Sequence, residues 1–148
     1  MINWHIRKAE LKDANELQEC MFLAYSEYED RINVETLPPL NVDYKDEISS
    51  FPVWVVEVNN NVIAGLILSF EENNASLANI AIHPDFQGKG LGKFLLNFAE
   101  KEAITKGYSD IHLATHALFT ENVLIYNKLG WVVLNEDETK VYMKKCLR

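Results

Sequence analysis

A chain of 148 residues, 48% hydrophobic and 11% aromatic, suits one domain with a proper core and is too apolar for a disordered segment. The formal net charge of −8 argues against a nucleic-acid partner. No apolar run approaches the ~20 residues that span a bilayer, so no membrane partner is expected, and the first residues lack a signal-peptide pattern. Two cysteines, Cys20 and Cys146, make no disulfide framework and no metal cluster, so a reduced, cytoplasmic setting is the default expectation.

Residues 2–7 read as a first strand. Asp13, with Glu16 three residues on, has the form of a capping box. It opens a helix whose apolar face is Leu17, Cys20, Met21 and Ala24, which makes packing the expected role of Cys20. Ser26 to Val42 is the longest stretch without periodicity, and such loops are often functional or mobile. Asp43 begins a short helix to about Ser49. Three strands follow: Val53 to Val58, Val62 to Phe70 and Ala75 to Ile82. The turns between them are Asn59-Asn60-Asn61 and Glu71-Glu72-Asn73-Asn74. The third strand is apolar on both faces except at Asn79, which predicts a central strand covered on both sides. Pro84 stops it.

Leu91, Phe94, Leu95, Phe98 and Ala99 then make a helical stripe that Gly107 terminates. Asp110 to Thr115 is another strand. Thr120 is placed to cap a helix from Glu121 to Leu129 that ends at Gly130. Trp131 to Leu134 and Thr139 to Cys146 close the chain as a hairpin. The order β-α-α-β-β-β-α-β-α-β-β predicts an α/β fold, with a mixed, mostly antiparallel central sheet and flanking helices.

Between the third strand and its helix lies Gln87-Gly88-Lys89-Gly90-Leu91-Gly92. Glycines at alternate positions let the backbone approach a bulky ligand and turn successive N–H groups into one concavity. The helix that follows adds unpaired first-turn N–H groups and the positive end of its dipole, which together make a seat for phosphate. A Walker loop is excluded, because no Gly-Lys-Ser/Thr occurs in the chain. A dinucleotide fingerprint fails because Lys93 stands at its third glycine position and the run lies past the middle of the chain.

Gln-x-x-Gly-x-Gly after Ile80-Ala81-Ile82-His83-Pro84, in the order apolar strand, Pro, glycine loop, helix, resembles the pyrophosphate loop of the GCN5-related N-acetyltransferase (GNAT) superfamily. The element order is also that family's, so the resemblance spans nearly the whole chain. It implies a single N-acetyltransferase domain over residues 1–148 with the acyl-CoA N-acyltransferase fold, and acetyl-CoA as cosubstrate. It implies that Ile80, Ala81 and Ile82 pair with the pantetheine arm through their backbone. Gln87, Gly88, Lys89, Gly90, Leu91 and Gly92 would wrap the pyrophosphate, with Lys93 beside it. The segment Ile125-Tyr126-Asn127-Lys128-Leu129-Gly130-Trp131 resembles the family's Leu-Tyr-x-Lys-x-Gly-Phe. By that match Tyr126 is the general acid for the departing thiolate, a role a phenol can fill because its pKa is comparable to a thiol's. Lys128 joins the cofactor set.

Two positions depart from the family. Its cofactor-contacting asparagine stands seven residues before the tyrosine, where this chain has Phe119. Asn122, four residues before Tyr126, is the local candidate for that contact and equally for a part in the helix cap. The family's glutamate at the end of the strand before this helix falls at Ala114, so that base does not transfer. His116 is the candidate base, through a water, since histidine exchanges protons near neutral pH. Glu72 or Asn79 could hold a water instead, and His83 and His112 read as structural or exposed.

From Glu10 to Asn74, fourteen acidic and three basic residues give −11, whereas from Ala75 onward eight acidic and nine basic give +1. The less acidic half carries the glycine loop. The acidic half suits a cationic amine, although acidic surface also serves solubility alone. The reading is an N-acetyltransferase acting on a primary amine, with a small cationic amine as substrate. The alternative is a non-catalytic acyl-CoA-binding sensor or interaction module on the same fold. The last strands offer a surface for a homodimer.

Overall fold

The computed structural model describes Asn3 to Leu147. In chain order the elements are β1 (His5–Lys8), α1 (Ala14–Ser26), α2 (Tyr44–Ser50), β2 (Val53–Val58), β3 (Asn61–Phe70), β4 (Ala75–Ile82), α3 (Leu91–Thr105), β5 (Asp110–His116), α4 (Thr120–Lys128), β6 (Val132–Glu136) and β7 (Lys140–Cys146). The strands form one sheet in the order β1-β2-β3-β4-β5-β7-β6. Pairings β1–β2, β2–β3, β5–β7 and β6–β7 are antiparallel, and β4–β5 is parallel. This is the mixed, mostly antiparallel α/β arrangement that the element order predicts. The chain divides into two compact units, the first running to Leu68 and adding Asn79–Leu96, the second made of Ser69–Ala78 and the chain from Asn97 onward.

In the first unit, α1 lays Leu17, Met21 and Ala24 into a core with Tyr44 of α2, Val53 and Val55 of β2, Val62 and Ile67 of β3, and Ala81 of β4. The contact is close at Gly65 of β3, where a Cβ would stand 2.3 Å from Leu17 Cδ1. Leu17 is fully buried and has no room to yield, so the close approach requires glycine there. Asn59 and Asn60 adopt left-handed φ of 52° and 67° in the β2–β3 turn, as their residue type allows. Asp43 caps α2 by accepting from the Lys45 N–H at 2.9 Å.

Asp13 does not cap α1 with its side chain. A single 3₁₀ turn, Leu11–Asp13, precedes the helix, and the Asp13 carboxylate instead takes a bidentate pair from Arg7 at 2.8 and 2.9 Å. It also accepts the Glu10 N–H at 2.7 Å. Arg7 extends the link to Glu57 of β2 at 3.3 Å. Glu16, the other half of the expected box, accepts the Val62 N–H of β3 at 3.0 Å. Both carboxylates thus join the start of α1 to strands rather than to their own helix. Asp13 is 3% exposed, so the two-point Arg7 contact compensates its lost hydration. The same contact holds its carboxyl below the ordinary carboxylate range, against the opposing effect of burial.

The second unit carries the β5–β7–β6 part of the sheet, with Leu77, Ile111, Leu113, Val141 and Met143 buried. Gly107 and Gly130, at φ of 92° and 97°, follow α3 and α4 where terminators are expected. Phe119, not Thr120, occupies the cap position of α4, and Thr120 is already helical. The final hairpin turns on Asp137, whose carboxylate accepts the Thr139 and Lys140 N–H groups, each at 2.8 Å. β6 runs to Glu136 through an irregularity between Val133 and Asn135, two residues beyond the predicted end.

The Arg7→Met substitution would strand the Asp13 carboxylate, and we expect a loss of about 3 kcal/mol at neutral pH in urea unfolding. Because the folded-state pKa of Asp13 is depressed, the pair's stabilisation is complete above the unfolded pKa near ~4 and disappears as pH falls through the lower folded value. The gap between wild type and variant should therefore narrow at acid pH. An equal gap at pH 7 and in strong acid would contradict this account.

Candidate active site

The first unit carries the glycine loop. β4 ends at Ile82, and His83 caps the 3₁₀ turn Pro84–Phe86, accepting the Asp85 N–H on its Nδ1 at 3.1 Å. Gly88 and Gly90 then take left-handed φ of 74° and 85°. A Cβ at either would meet nothing within 4 Å, so the backbone conformation and not crowding calls for glycine. α3 begins at Leu91, whose side chain is buried and anchors the helix start. Gly92 sits in the first turn, and a Cβ there would stand 3.5 Å from Ile82 Cδ1, an ordinary contact. The Phe94 N–H donates back to the Gly90 carbonyl at 3.1 Å, while the N–H groups from Gly88 to Lys93 have no protein acceptor among the described residues. The run from Gln87 to Gly90 is exposed, as is Lys93. These are the features of an anion seat: free amides, a helix N-terminus and lysines beside it.

Gln87 has another task. Its Nε2 donates to the Ile82 carbonyl at 3.1 Å and to Glu27 Oε2 at 3.3 Å, tying the loop to the end of β4 and to the C-terminus of α1. A second tie lies close by: the Tyr25 hydroxyl donates to Asn79 Oδ1 at 3.0 Å. The expected water-holding role of Asn79 therefore competes with Tyr25 for that oxygen. Tyr44 donates from its hydroxyl to the Pro39 carbonyl at 2.5 Å, and burial drives its pKa well up, with the Asn79 side chain opposing. Tyr25 and Glu27 went unread in the sequence as site neighbours. They lie 54 and 60 residues from their partners, and no local pattern signals such contacts.

Pairing of β4 with β5 covers Ser76↔His112 and Leu77↔Leu113 and then stops. From Ala78 to Ile82, β4 has no ladder partner on that edge among the described residues. Ala78 is exposed, and Asn79, Ile80 and Ile82 are half-buried, so the strand is central in the sheet but is not covered on both sides along its length. Apart from the Ile82 carbonyl, which Gln87 occupies, the main-chain groups of β4 beyond Leu77 that face that edge have no ladder partner among the described residues.

The segment from Ser26 to Val42 is more ordered than its composition suggests. It contains the 3₁₀ turns Val34–Thr36 and Pro38–Leu40, joined by Asn41 Nδ2, which donates to the Glu35 and Leu37 carbonyls at 2.7 and 2.8 Å. Burial, then the charge of Asp46, pushes Glu47 of α2 upward.

The second unit carries the other named residues. His116 is the last residue of β5 rather than just past it. Its Nδ1 accepts the Leu118 N–H at 3.1 Å and its ring lies 5.4 Å from that of Phe119. Ala114, at the position of the family's glutamate, is exposed. His112 bonds to Asp110 at 3.1 Å, a structural role, as does His83 in its cap. Asn122 stands in the first turn of α4 and donates its N–H to the Phe119 carbonyl at 3.0 Å. Tyr126 is half-buried, with its ring 5.9 Å from that of Trp131, and the Trp131 N–H donates to the Tyr126 carbonyl at 3.0 Å. Trp131 is 1% exposed, so Tyr126 is held against a fixed wall. Lys128, in the last turn of α4, is exposed.

Cys20 is 2% exposed, and burial pushes its thiol up to about 12, whereas Cys146 is exposed. Among the described residues no His, Cys, Asp and Glu side chains gather in the number that could hold a metal ion, and no helix is long and apolar enough to cross a membrane.

A profile of the acetyltransferase (GNAT) family matches residues 14–131. An acetyltransferase of Pectobacterium atrosepticum is 29% identical over 94 residues, which is 64% of this chain and 67% of that protein. In three dimensions the chain is similar to the PaiA N-acetyltransferase of Thermoplasma acidophilum, solved with coenzyme A. The TM-score is 0.89 at 22% identity, covering 98% of this chain and 99% of that one. It is similar also to YncA of Salmonella typhimurium, a putative acetyltransferase solved with acetyl-CoA, with a TM-score of 0.73 at 20% identity over 98% and 94% of the two chains. Those two likenesses establish the shared fold, and the profile match over most of the sequence establishes the lineage: the chain belongs to the GNAT acetyltransferase family.

Proposed function

We propose that residues 1–148 act as one N-acetyltransferase domain that moves an acetyl group from acetyl-CoA to the primary amine of a small cationic molecule. The observation that carries this reading is the stretch from Ile80 to Lys93. Among the described residues, a strand edge without a ladder partner runs into two left-handed glycines and a helix start whose amides have no protein acceptor. The glycines' open surroundings and the exposed loop fit a pyrophosphate, and the strand edge fits an extended amide-bearing arm. The CoA and acetyl-CoA carried by the structural relatives named above support the same cofactor.

When bound, acetyl-CoA supplies an acetyl group activated as a thioester. The chain does the rest. The amides of Gly88 to Lys93 hold the pyrophosphate, aided by Lys89 and Lys93, while Gln87 fixes the loop's geometry through Ile82 and Glu27. Leu91 contributes its amide and its buried anchor. The main chain of Ile80, Ala81 and Ile82 would hold the arm, and an N–H there would be available to stabilise the charge on the reacting carbonyl oxygen. Tyr126 donates its hydroxyl proton to the departing thiolate. His116 takes the proton released by the amine through a water. Asn122 and Lys128 add contacts to the cofactor. The Ser26–Val42 loop and the helix that begins at Asp43, both acidic, supply the acceptor side, which favours a cation over an anionic or neutral amine.

Titration calorimetry with acetyl-CoA, beside ATP and NAD, tests the cofactor. Micromolar binding of acetyl-CoA alone is expected, and its absence in folded protein would remove the assignment. The Tyr126→Phe variant should keep that affinity within about twofold and lose at least ~10²-fold in kcat. Unchanged turnover would take Tyr126 out of the chemistry and, with binding intact, point to an acyl-CoA sensor.

The glycines separate shape from contact. Gly88→Ala and Gly90→Ala should each cost about 1 kcal/mol in stability, because an L side chain at those φ values is strained. Gly92→Ala, in an ordinary helical position, should leave stability equal or up to ~1 kcal/mol higher. It should nonetheless weaken acetyl-CoA binding about tenfold by blocking close approach. On the acceptor side, turnover across a panel of amines should favour cations and fall with added salt. A flat profile with no salt dependence would remove the charge argument.

A further inference from the structure

The C-terminus of α4 is closed by a pair of backbone bonds. The Trp131 N–H donates to the Tyr126 carbonyl at 3.0 Å, the Gly130 N–H donates to the Asn127 carbonyl at 3.2 Å, and Gly130 takes a left-handed φ of 97°. In this kind of helix stop the residue just past the glycine packs on the helix residue five positions earlier. Here those residues are Trp131 and Tyr126, with ring centroids 5.9 Å apart and planes tilted by 59°. Trp131 is fully buried, and Tyr126 is half-buried against it. One feature of the indole works against stability. Its Nε1–H is buried and meets no acceptor among the described residues. Such a donor costs free energy, and a phenyl ring in its place would not. What the indole adds over a phenyl ring is therefore ring area and not a hydrogen bond.

We propose that Trp131 is a positioning residue, whose wide ring fixes the ring of Tyr126 and with it the direction in which the phenol presents its proton. The proposal rests on the general-acid reading of Tyr126. The backbone closure places the Tyr126 main chain, and the ring contact restricts its side-chain torsions. A phenyl ring at 131 would leave part of that contact open and let the tyrosine sample other rotamers. Proton donation to a departing thiolate depends steeply on distance and direction. Lost order at Tyr126 should therefore lower kcat and spare the binding of both substrates.

Two replacements at 131 in the full chain separate shape from hydrogen bonding. Trp131→Phe narrows the ring, whereas the isostere β-(3-benzothienyl)alanine keeps the bicyclic shape and removes the N–H. With the fastest amine of the panel as acceptor, Trp131→Phe should lower kcat about tenfold or more, with the acetyl-CoA Kd and the amine KM within ~twofold of wild type. In a Tyr126→Phe background the same change should cost nothing further. The isostere should keep wild-type kcat and raise the melting temperature by ~2 °C or more. Fluorine NMR of 3-fluorotyrosine at position 126 reads the ring without catalysis. Its transverse relaxation should slow in Trp131→Phe, as the ring gains freedom, and stay at the wild-type rate in the isostere. Unchanged relaxation in Trp131→Phe would overturn the proposal. So would an isostere as slow as Trp131→Phe, or a kcat loss that persists in the Tyr126→Phe background. If Tyr126→Phe alone keeps full turnover while Trp131→Phe still frees the ring, the general-acid reading falls and the positioning of the ring stands.

Discussion

A β-strand has two edges, and β4 uses one of them for only two residues. Ser76 and Leu77 pair with β5, and from Ala78 the main chain has no ladder on that side among the described residues. Unpaired backbone groups are costly unless water or a ligand meets them, so such an edge persists only where the surroundings fix it. Here they do. The His83 N–H donates to the Ile63 carbonyl at 2.8 Å, Gln87 holds the Ile82 carbonyl, and Ala81 is sunk in the α1 core. The strand is held from one side and left available on the other. The glycine loop inherits its position from that strand, and the start of α3 inherits its position from the loop.

The helices of the first unit explain why the strand does not drift. α1 is joined to β1 and β2 through Asp13, Arg7 and Glu57, to β3 through Glu16, to β4 through Tyr25 and to the loop through Glu27. Polar side chains at both ends of one helix thus fix its register on the sheet, while its middle packs apolar residues around Gly65. Removing any one tie leaves the others, but only Asp13 is buried, so only its pair carries a large desolvation cost.

Elements that depend on local chemistry were readable in the sequence. The limits of β2 and β4, the two asparagines of the first turn, Asp43 as a cap and the glycines after α3 and α4 follow from periodicity and turn residues within a few positions. The glycine loop was readable for the same reason. Features set by distant partners were not. Asp-x-x-Glu at the start of α1 looks the same whether the aspartate caps its helix or binds an arginine six residues earlier, and the tertiary pair won. Apolar residues on both faces of β4 suggested full cover, yet where a strand's partner departs is decided by the neighbour and not by the strand. The roles of Tyr25 and Glu27 were hidden because each reaches a residue more than fifty positions away.

The two thiols divide along the same line between held and open structure. Cys146 lies exposed near the chain's end, while Cys20 sits on the buried face of α1 with its proton retained by burial. A thiol reagent therefore meets one site in the native protein at once. The second becomes reactive only in those molecules whose first helix has lifted from the sheet, since a buried, protonated sulfur is a poor nucleophile. Labelling of Cys20 against time would read the opening rate of the very element that positions β4, with no probe added to the chain.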